Sequence, residues 1–215
     1  MQIQNNILKH YLKNVLFICG TACGGKTTVA RMLAEKHGFA LYDMDQMYDR
    51  HKAMADDEHQ PNMCYHMQDH HAQWTRNVQE QAAWNMKSLS EQTDMVLLDL
   101  IRLSQNETVV ADVLYSPVYT QDLVDEEQLV FLTVDKSVLR KQYFNRPEKQ
   151  AFYEFVKAQP LADVYFDNIL SGLELTNEWE QEAMRQSGLK IIERLHDDTR
   201  ESLLRKVEMH FGLIR

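Results

Sequence analysis

The stretch Gly20-Thr21-Ala22-Cys23-Gly24-Gly25-Lys26-Thr27, followed by Thr28, holds the residue types that grip a polyphosphate. It fits the spacing G-x-x-x-x-G-K-[ST]. Glycine at 20, 24 and 25 is expected to let the backbone take positive φ and approach a ligand with no Cβ in the way. The N–H groups of such a loop form a concave anion site that meets the positive end of the following helix. Lys26 would reach the outer phosphates as a mobile ammonium, and the Thr27 hydroxyl would ligate Mg²⁺. A chance glycine turn beside a surface lysine is the competing reading, and the flanks argue against it. Residues 15–19 are a short apolar run of strand type. After the loop, Val29, Met32 and Leu33 recur at helical spacing, Lys36 and His37 fall in the last turn, and Gly38 is placed to end the helix.

The elements that must carry this loop follow from the hydrophobic pattern. Apolar runs at 15–19, 39–42, 108–113, 129–134 and 189–192 lack polar alternation, as strands covered on both faces do. Helical patterns separate most of them, which predicts an α/β chain with a five-stranded parallel sheet and helices on both faces. The run "DMVLLD" at 94–99 also looks like a strand ending in an acid. It lies too close to 108–113 for both to be neighbouring parallel strands, since a crossover takes at least ~10–12 residues. Residues 68–104 therefore read as mostly helix, with Val78, Ala82, Met86 and Leu89 at helical spacing and Asp99 on the helix. Regions 46–105 and 140–188 exceed what a bare crossover needs and are where an acceptor pocket and a closing lid would be built.

On these residues the chain resembles the P-loop kinases of small molecules and nucleotides, such as shikimate, gluconate and nucleoside monophosphate kinases. "GKTTVARMLAEKHGFALYDMD" is similar to the first βαβ unit of the shikimate-kinase type. "QLVFLTVDKSVLRKQYFNRP" resembles the strand and helix that lead into an arginine-bearing lid, and "SGLKIIERLHDDTRESLLRKVEMHFG" the closing strand and helix. About half of the chain is covered. As a whole it looks most like uncharacterised bacterial P-loop kinase-like proteins. The resemblance implies a P-loop NTPase fold in one domain over 1–215, with ATP and Mg²⁺ bound at residues 20–28. It also implies a helical acceptor-binding region at 46–105, and a lid and helical region at 140–188.

Further residues acquire roles on the same basis. Asp43 and Asp45 follow the second strand, where a carboxylate can hold Mg²⁺ or take a proton from a hydroxyl. The resemblance gives metal to one, here Asp43, and acceptor to the other, Asp45; an Asx turn closing the strand is the alternative. Asp112, in "VVADV", is the Walker B candidate for metal, against a buried aspartate bonded to backbone. Arg140 and Arg146 are candidate lid arginines, because a guanidinium closing over a transferring phosphoryl group stabilises its spread charge. A solvated helix face is the alternative, stronger for Arg140. By resemblance the loop holding His196, Asp197 and Asp198 would lie near the adenine.

Cys64, His66, His70, His71 and Trp74 cluster in "CYHMQDHHAQW". They read as acceptor contacts, with Arg50 and Arg76 as anion clamps, ahead of a metal site that lacks an evident fourth ligand. Cys23, inside the loop, has either a thiol pKa lowered by Lys26 and the helix end or a plain structural place.

Composition bounds the rest. The formal net charge of −9 excludes the clustered basic face of a nucleic-acid binder, so an anionic ligand must be drawn in by local donors. Three cysteines (Cys19, Cys23, Cys64) make no disulfide framework. The first 14 residues are too polar for a signal peptide and lack the arginine of a transit peptide. No apolar run approaches the ~20 residues of a membrane span. A cytoplasmic protein with a small-molecule phosphoryl acceptor is expected. An ATPase or GTPase switch is a rival, although "TVDK" is no guanine signature. A nucleotide-binding module without chemistry is another.

Overall fold

The computed structural model describes residues 3–65, 70–114 and 122–215. Strands β1 (Val15–Gly20), β2 (Ala40–Asp43), β3 (Val109–Asp112), β4 (Leu129–Val134) and β5 (Ile191–Arg194) form one sheet. Its order is β2-β3-β1-β4-β5, and every pairing is parallel. The chain leaves β1 toward one side of the sheet and returns through β4 on the other. The C-terminal end of β1 is thus a switch point, the place where open parallel sheets leave a crevice for a ligand.

The helices are α1 (Asn5–Tyr11), α2 (Lys26–His37), α3 (Met44–Lys52), α4 (His70–Trp74), α5 (Val78–Leu103), α6 (Lys136–Gln142), α7 (Gln150–Lys157), α8 (Ala162–Ser187) and α9 (Arg200–His210). Alternation along the strands sorts the core into two layers. Ile18, Val110, Val130 and Leu132 face Val29, Leu33, Leu203 and Val207, which fasten α2 and α9 to one side. Phe17, Cys19, Val109, Ala111 and Phe131 face the other, where Val96, Leu100 and Met184 bring in α5 and α8. Each large apolar side chain removed from water contributes ~1.5–3 kcal/mol, so the two layers together fix the sheet that carries the loop. A separate aromatic cluster of Trp74, Val156, Tyr165 and Ile169, flanked by Phe144 and Phe152, ties α4 to α7 and α8.

The five parallel strands stand where the apolar runs predict them, within two residues. The largest shift is in the last, which is Ile191–Arg194 and not 189–192. Gly38 ends α2 at φ +68°, in the left-handed region. Asp99 lies on a helix as expected. The long helix predicted over 68–104 is broken, because Asn77 turns the chain and its side chain caps α5 by accepting from Glu80 N–H at 2.8 Å. All three cysteines are buried.

Candidate functional site

The loop after β1 is shaped by contact with β4. Gly20 leaves the strand at φ +130°, and a Cβ there would collide with the Leu132 carbonyl. A Cβ on Gly24 would stand 2.6 Å from the same oxygen. Gly24 is thus required for space and does not take positive φ; Cys23 does, at φ +65°. This corrects the expectation that all three glycines supply left-handed backbone. Thr21 N–H donates to Leu132 O at 3.1 Å, and Gly24 N–H to Thr21 O at 3.2 Å. Gly25, at φ +95°, starts α2, whose first-turn N–H groups have no carbonyl within the helix.

A cavity of about 380 Å³ opens at this helix end, lined by Cys23, Gly25, Lys26, Thr27 and Thr28. Its other walls include Gln142, Asn145, Arg146, Arg194, Asp198 and Arg200, together with Glu148, whose Oε1 lies 3.6 Å from Arg146 Nη1. Of the predicted loop residues, Gly20, Thr21, Ala22 and Gly24 build the loop from behind and do not line the cavity. The Thr21 side chain is fully buried. Lys26 is 8% exposed, and its Nζ donates to Thr21 O at 2.9 Å, bridging the loop from within.

Asp112 ends β3, opposite Ile18 on one side and Asp43 on the other. Burial pushes its carboxyl up to about 6, against the pull of Lys26 and the Thr27 hydroxyl; Asp43 and Asp45 push the same way as burial. Three acids and the Lys26–Thr27 pair thus share one corner of the molecule. Asp43 is the N-cap of α3. Its Oδ1 accepts from Asp45 N–H at 3.0 Å and Gln46 N–H at 3.3 Å, and its Oδ2 from Gln46 Nε2 at 2.9 Å. The turn-closing alternative therefore describes Asp43. Asp45 sits in the first turn of α3, exposed.

Arg146 precedes a short turn, Pro147–Lys149, and lines the same cavity. Its guanidinium lies over the Tyr143 ring, 4.9 Å from the centroid, with Nε donating to Tyr143 O at 3.2 Å. Burial pushes the Tyr143 phenol up to about 12, with Arg146 opposing and Asp45 and Cys23 adding to it.

The structure does not bring Arg140 into the cavity. Its guanidinium donates to Glu174 through Nε (3.0 Å) and Nη2 (2.9 Å), to Asp167 through Nη1 (2.7 Å) and to Ser171 through Nη2 (3.0 Å). It ties the end of α6 to α8. Of the two readings of Cys23, the plain structural place fits: burial raises its thiol pKa more than Arg146, Lys26 and Arg194 lower it.

Of the loop after β5, Asp198 lines the cavity, whereas His196 and Asp197 do not. Bonds from Lys206 Nζ (2.7 and 2.8 Å), Leu195 N–H and the Ser202 hydroxyl engage the Asp198 carboxylate and hold it down at about 2. In the histidine-rich segment, His66 lies outside the described residues. His70 stacks on Trp74, His71 Nδ1 is 2.9 Å from Tyr165 Oη, and Cys64 is buried. Arg50 Nη2 lies 3.7 Å from Asp99 Oδ1, and Arg76 stands 4.4 Å over the Tyr65 ring.

The residues that sequence reading missed are Arg194, Arg200 and, behind the loop, Glu180. The Glu180 carboxyl is 2% exposed, and burial pushes it up to about 7 while Lys26 draws it down. Arg194 fell outside the predicted strand by two residues, and the basic "R" after "IIE" was the available signal.

Among the described residues no three His, Cys, Asp or Glu side chains gather to hold a metal. The oxygen donors of Asp112 and Thr27 suit a hard cation with few protein ligands. Mg²⁺ is such an ion, held by one or two carboxylates together with substrate phosphates.

A family described as an AAA domain matches residues 16–161. Among curated proteins no match is found. The shikimate kinase from Acinetobacter baumannii, in complex with shikimate, superposes with a TM-score of 0.52 at 17% identity, over 98% of each chain. The YorR protein from Bacillus subtilis, in complex with phosphorylated GDP, gives a TM-score of 0.42 at 14% identity, over 93% of this chain and 96% of that one. At such identities the first likeness is one of fold. The five-stranded parallel sheet with its flanking helices is the shikimate-kinase type of P-loop kinase fold.

Proposed function

This chain belongs to the AAA-domain family, and on that premise we propose that it is an ATP-dependent phosphotransferase acting on a small molecule. The observation that carries the reading is the meeting of Cys23 and Gly25–Thr28 with Arg146 around one cavity of about 380 Å³. Main-chain N–H groups at the start of α2 take the phosphates, with Lys26 exchanging its bond to Thr21 O for a phosphate oxygen. Thr27 and Asp112, with Asp43 beside them, would hold Mg²⁺, which would supply charge neutralisation at the phosphates. Arg146, which lines the same cavity as Lys26, would offer a bidentate donor to the charge that develops on the transferring group. Asp45, exposed in the first turn of α3, would accept the proton of an acceptor hydroxyl.

Region 46–105 then serves as the acceptor-binding part, and 140–188 as lid and supporting helices of one kinase unit over 1–215. Arg140 acts at the hinge of that lid through α8. Among the described residues no helix is long and apolar enough to cross a membrane. A small polar acceptor in the cytoplasm is consistent with the acidic surface and the buried thiols.

The test is to incubate the purified protein with Mg·ATP and a panel of sugars, polyol acids, nucleosides and nucleotides, and to follow ADP. Acceptor-stimulated release is expected. Stimulation by a protein partner alone would make the chain a switch, and binding without any turnover a nucleotide-holding module.

A further inference from the structure

The phosphate loop rests its buried side on α8, and one side chain makes the join. Asn177 is 6% exposed. Its Oδ1 accepts from Ala22 N–H at 3.1 Å, and its Nδ2 donates to Ala22 O at 3.4 Å. One carboxamide therefore engages both polar groups of a single residue's main chain. The next residue is Cys23, where the backbone swings to φ +65°. Ala22 is thus the last fixed point before the loop reverses toward the cavity.

We propose, building on the phosphate-binding reading above, that Asn177 is a positioning residue for the reaction. It turns the Ala22 N–H and C=O away from the ligand and presets the loop so that the N–H groups after it converge on the anion.

The helix that bears Asn177 is braced for this. Gln181 Nε2, one turn on, donates to Val134 O at the end of β4 at 3.3 Å. Thr176 accepts from Asn85 Nδ2 of α5 at 3.2 Å. Arg140 fastens the preceding turns through Asp167, Ser171 and Glu174. The carboxamide is therefore held by strand, helix and lid stem at once, so its position does not depend on the loop it grips. A loop of small residues does not hold a strained Cys23 by itself; preorganisation removes an ordering cost that binding would otherwise bear. An apolar residue at 177 would take the carboxamide partner from the half-buried Ala22 N–H and C=O.

The experiment compares wild type with Asn177→Ala and the isosteric Asn177→Asp, which keeps an acceptor for Ala22 N–H but loses the donor to Ala22 O. Calorimetry reads affinity for Mg·ADP, inorganic tripolyphosphate and adenosine, and hydrogen exchange reads the Ala22 amide. In N177A the Kd for Mg·ADP and for tripolyphosphate is expected to rise at least tenfold. Adenosine should bind within twofold of wild type, and Ala22 should exchange faster while β1 amides keep their protection. N177D should retain slow exchange at Ala22 yet still lose severalfold in phosphate affinity. Phosphate affinities within twofold of wild type in both variants would overturn the proposal. So would equal losses for adenosine and ADP, the sign of a general loosening. If wild type itself takes up neither Mg·ADP nor tripolyphosphate, the kinase reading fails first and removes this inference with it.

Discussion

Lys26 and Arg146 both line one cavity, and their chemistry differs. Lys26 is a compact charge held inside the loop by Thr21 O, whereas Arg146 is a planar fork laid on Tyr143. Lys26→Ala removes a preset donor from the phosphates, and turnover is expected to fall by ~10²–10³ in steady-state kinetics. Arg146→Lys keeps the charge and loses the fork. It should lower kcat by roughly tenfold or more with the ATP KM little changed, because the contact is made to charge that develops during transfer. A raised KM with kcat unchanged would place Arg146 in ground-state binding only. Glu180 gives a different signature. Burial raises its carboxyl from an ordinary 4.5 to about 7, so the folded chain holds a proton that the unfolded chain has lost between those values. Stability therefore falls as pH rises from about 4.5 to about 7, by on the order of 3 kcal/mol. Glu180→Gln should leave Tm unchanged at pH 4.5 and raise it above wild type at pH 8; identical pH profiles for the two proteins would refute the assignment.

The elements show which parts of the molecule can be read from local pattern. The loop, its strand and α2 are legible because each signal is contiguous: an apolar run, glycines where backbone meets backbone, and Gly38 ending the helix. The break before α5 had a local signal too, Asn77 with Glu80 three residues on, a helix start hidden inside a run that looked periodic. Asn77→Ala should cost about 1 kcal/mol, read as a lower denaturation midpoint with unchanged m-value. No such signal exists for α8. Asn177 and Glu180 look like surface positions of a polar helix, and only the tertiary packing turns them toward the loop. Arg140 likewise finds its partners 27 to 34 residues away. Its sequence neighbours suggest a lid arginine, and α8 claims it. The last strand slipped by two residues because Glu193 and Arg194 interrupt the apolar pattern at an edge, and Arg194 was lost from the predicted site for that reason.

At the scale of the whole molecule, a chain of net charge −9 is proposed to take an anion into a cavity lined by Lys26, Arg146, Arg194 and Arg200. Long-range attraction does not bring such a ligand in, so recognition must come from donors a few ångström away, in a part of the fold set by the central strands. This makes binding and global stability one problem. The loop joins β1 to α2, leans on Leu132 of β4 and is held by α8, so a ligand there contacts elements that part only when the sheet unfolds. A ligand at one hundred times its Kd that binds only the folded chain adds ~2.7 kcal/mol. For a domain of this size each kcal/mol moves the midpoint by ~2–4 °C, so saturating Mg·ATP should raise Tm by about 5–10 °C. Tripolyphosphate with Mg²⁺ should reproduce most of that rise, because the argued contacts are to phosphate, and Lys26→Ala should remove most of it. A rise produced equally by adenosine would locate the recognition in the base instead, and the loop would then lose its claim to be what holds the nucleotide.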